Sequence, residues 1–171
     1  MIALLRTYLD IIALRKGPDA IPPSWLLLLV SFGLLTIAWV LQFALLSGDG
    51  SGVLPALFAY LLALGFYASV ASALGFRGRV LQMLSTIVAC GSMLAIVSAT
   101  TSMMLRPLLG SQIAISLGTL IWFWSVPVKG HIVARTVQKH WFFGIGVAML
   151  AFILRFGVEA SFFSSAEASG Y

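Results

Sequence analysis

The chain has 171 residues, of which 61% are hydrophobic and 9% charged, with ten Lys and Arg against five Asp and Glu and a formal net charge of +5. A soluble domain carries about 25% charged residues, so this supply cannot cover a water-facing surface, and a mean hydropathy of +1.07 points to lipid as the natural solvent. The basic residues sit in short clusters between apolar runs, the positive-inside pattern of membrane proteins and not a nucleic-acid-binding patch, and the lone Cys90 provides no disulfide framework.

In chain order, "MIALLRTYLDIIALRKGPDA" has neither a basic stretch ahead of its apolar part nor a cleavage site, and is not read as a signal peptide. Residues 2–16 are too short to cross a bilayer. Ala3, Arg6, Thr7 and Asp10 gather on one side at helical spacing, while Leu4, Leu5, Tyr8, Leu9, Ile11 and Ile12 cover most of the rest. This predicts an interfacial amphipathic helix in which Arg6 and Asp10 pair across one turn. A helix packed under the bundle is the alternative.

Five apolar runs follow, at about 24–46, 53–74, 80–105, 108–126 and 139–163, each long enough for the ~20 helical residues that a membrane core demands. The first is led by Pro22-Pro23, and the second carries Pro55 in its first turn. The expected fold is an all-α membrane protein, one membrane domain over 1–163, with an interfacial N-terminal helix, five transmembrane helices and a disordered tail at 164–171.

Eight of the ten basic residues (Arg6, Arg15, Lys16, Arg77, Arg79, Lys129, Arg135 and Lys139) fall on one side of this topology. That side is read as cytoplasmic, with the N-terminus there and the C-terminus periplasmic. The other side holds the loop 47–52 with Asp49, Arg106 and the tail. In "LGFRGRVLQ", Gly75 and Gly78 are placed to take positive φ in a tight turn between spans, while Arg77 and Arg79 anchor the turn to acidic headgroups.

Arg155 and Glu159 are the ionisable pair inside a span, four residues apart on one helical face. The reading adopted is a local pair, with an ion or substrate site or an intersubunit bridge as the alternative. His131 and His140 are read as interfacial polar residues at either end of the fourth loop, whose "HIVARTVQKH" supplies no further metal ligands. Trp122, Trp124 and Trp141 flank that loop as an aromatic belt would. Small residues recur at spacing four in Ala68-Ser72, Ala71-Gly75, Gly91-Ala95-Ala99 and Gly144-Ala148, fit for close helix packing within the bundle or for a dimer seam.

No paired carboxylates, HExxH, Ser/His/Asp set or phosphate-binding glycine loop is present. No catalytic, metal or cofactor-binding residue is therefore assigned, and the protein is expected not to be an enzyme. The stretch "ALGFYASVASALGFRGRVLQMLSTIVAC", with Gly75, Gly78, Arg79 and Gln82 in a glycine-containing basic turn, and the later "WFWSVPVKGHIVARTVQKHWFFGIGVAML" resemble the Yip1-like family of small polytopic membrane proteins, including its bacterial members. The resemblance covers roughly residues 1–160 and implies a membrane scaffold or adaptor without catalytic residues.

The leading expectation is an accessory or assembly subunit of the inner (cytoplasmic) membrane that binds other membrane proteins or itself, and acidic lipid headgroups, but no nucleic acid. Contacts are expected at Arg6, Asp10, Arg77, Arg79, Lys129, Arg135, Lys139, Arg155 and Glu159. The alternative is an oligomeric transporter or channel with Arg155, Glu159, Gln82 and Gln112 along its path.

Overall fold

The computed structural model describes residues 2–42 and 53–168, and they are helical almost throughout. The elements are α1 (Ile2–Ile12), α2 (Trp25–Gln42), α3 (Val53–Ala73), α4 (Val80–Leu109), α5 (Ser111–Phe123), α6 (Ser125–Thr136) and α7 (Trp141–Ala168), with short 3-10 turns at Pro18–Ala20 and Arg77–Arg79. Five stretches are long and apolar enough to cross a membrane: Trp25–Gln42, Leu54–Ala73, Arg77–Leu109, Ser111–Thr136 and Trp141–Phe162. Large apolar side chains stay exposed along them, Leu29 at 70% and Ile153 at 60% among them. In lipid that exposure carries no penalty. The loop 47–52, with Asp49, and the expected end of the first span at 43–46 lie outside the described residues.

α2 packs on α4, α4 on the α5–α6 pair, α6 on α7, and α7 on α3. The closest approach is between α6 and α7. A Cβ added at Gly144 would collide with the carbonyl oxygen of Gly130, and one added at Gly130 would lie 2.9 Å from Ile145 Cα. The small-residue face Gly144-Ala148 is thus used inside the bundle, with Ala148 1% exposed. The same logic joins α4 to α5 at Gly118, whose carbonyl accepts a hydrogen bond from Ser98 Oγ at 2.7 Å.

Three boundaries differ from expectation. α4 runs through Pro107 to Leu109 and turns into α5 at Gly110, whose φ of 83° suits glycine. The fourth span does not end near 126: α5 breaks at Trp124 and resumes as α6, so Ser111–Thr136 is one interrupted span. Pro127 explains the break, because it has no N–H for the carbonyl of Phe123 and its ring crowds that carbonyl. α7 continues to Ala168, through residues expected in the tail; residues 169–171 lie outside the described set.

The helix α1 is covered by protein on one side. It packs against α4 and α6, with Tyr8 6% and Ile11 0% exposed. Tyr8 sits beside Ser31 and Cys90, and Cys90 lies about ten residues, or ~15 Å, along α4. Trp124 Nε1 donates to the Ile12 carbonyl at 3.2 Å, His131 Nε2 lies 3.0 Å from the Lys16 carbonyl, and the Gln82 amide donates to Ile21. Only the outer face, with Leu5 and Leu9, is exposed.

Asp10 pairs with Lys16 at 2.8 Å and not with Arg6, which is exposed. Lys16 beside it holds the Asp10 carboxyl below its usual range. That pairing is therefore present at neutral pH and is lost only as pH falls through the lowered value.

Of the two turn glycines, Gly75 alone takes positive φ, at 87°, and the Phe76 amide closes the turn on the Ala71 carbonyl at 2.9 Å. Gly78 belongs to the 3-10 turn that starts α4. α1 and α6 end in the same way at non-glycine residues, Leu14 with φ 60° and Gln138 with φ 52°. In each case the next amide bonds the carbonyl five residues back.

The α6–α7 seam yields a direct test. Gly144→Ala should destabilise the detergent-solubilised protein by about 1–3 kcal/mol, because the backbones must part to admit the methyl group. Gly146→Ala, where a Cβ meets nothing within 4 Å, should be neutral. Equal melting temperatures for the two variants in a thermal scan would contradict the seam.

Candidate functional site

The residues expected to make surface contacts divide into three groups. Arg6 and Arg77 are exposed and separate. Arg79, Arg135 and Lys139 come together around an open groove of about 1020 Å³, lined also by Asp19, His131, His140 and Trp141. His140 is exposed there and stacks on Phe142 with ring centroids 5.3 Å apart, whereas His131 is 8% exposed within α6. Among the described residues no group of three His, Cys, Asp or Glu is placed to hold a metal.

Lys129 is not in a cytoplasmic loop. The Trp124 break keeps α6 helical inside the bundle, and Lys129 projects from it into a chamber of about 200 Å³. Five chain segments build the walls: Leu35, Trp39 and Gln42 from α2; Tyr60 from α3; Gly91, Leu94 and Ala95 from α4; Trp122, Ser125 and Lys129 from α5 and α6; and Arg155 and Glu159 from α7. A tighter pocket of about 20 Å³ adjoins it and shares Tyr60, Trp122, Lys129 and Arg155. One ordered water needs ~10–15 Å³, so the chamber holds a small molecule and the annex about one water.

The polar groups are held individually. Arg155 Nε donates to Glu159 Oε1 at 2.8 Å, and each side chain is 19% exposed. The Arg155 guanidinium lies over the Tyr60 ring, 5.6 Å from its centroid, in a cation–π arrangement. Trp39 meets the same ring edge-on at 6.0 Å and 76°, closing α2 against α3. Tyr60 is 6% exposed, and its hydroxyl has no hydrogen-bond partner among the described residues. The two meet beside Gly91: a Cβ there would lie 3.9 Å from both Lys129 Cε and Tyr60 Oη, an ordinary contact. Lys129 is close enough to Arg155 for the two cations to repel. Among the described residues no carboxylate pairs with Lys129.

The Arg155–Glu159 pair is therefore local, as adopted from the sequence, but it also lines a cavity. Gln82 and Gln112 do not: Gln82 is spent on Ile21, and Gln112 is exposed on α5. Gln42, Tyr60 and Ser125 take their place. Trp122 is no belt residue but packs inward on Phe152 and Phe156 at 5.1 and 5.6 Å. Pro127 was the signal available for this arrangement, since a proline in an apolar run breaks a helix without ending a span.

Chain and site together define an all-helical, multi-pass membrane protein with a polar chamber among its spans. Neither family models, characterised proteins nor solved structures give a match to the chain.

The chamber's charge balance can be tested by stability. Glu159→Gln leaves Arg155 and Lys129 facing each other without a counter-charge and should cost about 3 kcal/mol or more, as breaking a buried pair does. Adding Lys129→Met should restore much of the loss. Thermal scans of the single and double variants check this, and simple additivity of the two substitutions would show that Lys129 does not feel the pair.

Proposed function

We propose that this protein is a non-catalytic membrane protein that binds a small solute in the chamber between its spans, as a transporter, a channel subunit or a solute-sensing subunit. One observation carries the proposal: Lys129, the Arg155–Glu159 pair and the Tyr60 hydroxyl, unpartnered among the described residues, converge from three helices on one cavity. Ionisable groups inside spans are costly and mark solute pathways more often than packing. The interruption of the fourth span at Trp124, beside the chamber, supports the same reading, because broken helices accompany midplane binding sites.

A second role is favoured by a separate observation. The groove bearing Arg79, Arg135 and Lys139 suits acidic headgroups at ~1 kcal/mol per basic residue, or an acidic partner segment. That keeps the scaffold or adaptor reading, with its Yip1-like resemblance, as the alternative. The same basic bias supports an N-terminus on the cytoplasmic side and residue 171 on the other. A reporter fused after Tyr171 should then read as periplasmic, and a cytoplasmic signal would reverse the assignment.

Solute access is tested with a cysteine in a Cys90→Ala background. Ala95→Cys, in the chamber wall, should react with small charged methanethiosulfonate reagents in proteoliposomes, whereas Ile153→Cys on the lipid face should not. Silence at position 95, alongside normal labelling of Lys139→Cys in the groove, would remove the chamber as a solute site.

A further inference from the structure

Resting on the solute-binding reading, we infer that the chamber takes a singly charged anion, a small carboxylate with an apolar body, with Lys129 as its counter-charge and Tyr60 as a hydrogen-bond donor. Charge counting is the first ground. Among the described residues two cations and one carboxylate line the chamber, and Arg155 is already engaged by Glu159 at 2.8 Å. One positive charge is left, on Lys129. An uncompensated ammonium among apolar walls is expensive, and an anion beside it lowers that cost. A monoanion brings the chamber to neutrality, whereas a dianion would overshoot and a cation would add to the repulsion.

The second ground is the hydroxyl of Tyr60. It is buried without a partner, and it lies with the Lys129 terminus around Gly91. An unmade hydrogen bond on a buried hydroxyl costs about 1–3 kcal/mol, and an anion's oxygen there would accept it. The third ground is the remaining wall. Leu35, Leu94, Trp39 and Trp122 add apolar and aromatic surface to the lining, which suits an organic body better than a bare halide. At about 200 Å³ the space admits a compact molecule and not a lipid chain.

The test compares two thiol reagents of similar size and opposite charge at Ala95→Cys, each rate normalised to its reaction with free cysteine. The anionic sulfonatoethyl reagent should outpace the cationic trimethylammonium-ethyl reagent by roughly tenfold or more, the scale of one unmatched charge a few ångströms away even where water screens it. Lys129→Gln should abolish the preference, while Lys129→Arg should keep it and so exclude misfolding as the cause. Sodium benzoate should slow labelling in the parent but not in Lys129→Gln. Protection by chloride as strong as by benzoate would make the ligand an inorganic anion, and protection by neither would overturn the inference.

Equal rates for the two reagents, or a faster cationic one, would also overturn it while leaving a solute-accessible chamber. No reaction with either reagent defeats the solute-binding reading itself.

Discussion

A lysine ammonium inside a helical membrane bundle needs water, an opposite charge or a route to the surface, and much of this fold follows from how Lys129 is accommodated. Its position depends on Pro127. Pro127 leaves the Phe123 carbonyl without its amide partner where α5 passes into α6. α6 packs on α7, and Gly130 meeting Gly144 fixes how near it comes. That approach carries the Lys129 side chain toward Gly91 and Tyr60 instead of toward lipid. Glycine is required at the seam, where it lets the backbones touch.

The polar residues near the N-terminal segment serve a different need. After α1 the chain runs through residues 13–21 while packed against apolar helices, and the carbonyls of Ile12, Lys16 and Ile21 have no helical partner. In an apolar setting each unmatched carbonyl is costly. Trp124, His131 and Gln82 supply ring and amide nitrogens to these three oxygens in turn. Residues that look like site candidates in the sequence are thereby occupied in tying α1 and its linker between α4 and α6. A short helix with two exposed leucines and a buried tyrosine is held there by side-chain-to-backbone bonds as much as by packing.

Much of the architecture was legible because lipid imposes a length rule on apolar runs, and four of the five runs carry that signal without interruption. The fourth misled, since Pro127 and the charged "KGHIVARTVQKH" resemble the end of a span. Hydropathy averages over the window, whereas the buried face of α6 (Val128, Ile132, Val133 and Val137, each at most 1% exposed) is a matter of which side each residue takes. The placement of α1 was hidden for a related reason: its periodicity describes an apolar face but not whether lipid or protein covers it. Arg155 with Glu159 was found from spacing alone. Lys129 was named only as a loop contact, and Tyr60 and Gln42 were not named, because the three come from other helices and only the tertiary fold makes them neighbours. The contribution of Gly75 to its turn could be foreseen, but not that Gly78 would be free of it.

Two concentrations of positive charge result, and physics treats them oppositely. Arg79, Arg135 and Lys139 are exposed around the groove, where water and salt screen them and where their presence follows from the topology rule alone. Nothing about their number demands a ligand. The chamber holds fewer charges, but it lies between packed helices, so the balance must close locally. Had Arg155 and Glu159 been alone there, an internally neutral pair would have been sufficient explanation. Lys129 removes that sufficiency: it adds a charge that no described residue matches, beside a hydroxyl that no described residue bonds. The smaller of the two basic sites is therefore the one whose composition requires an occupant.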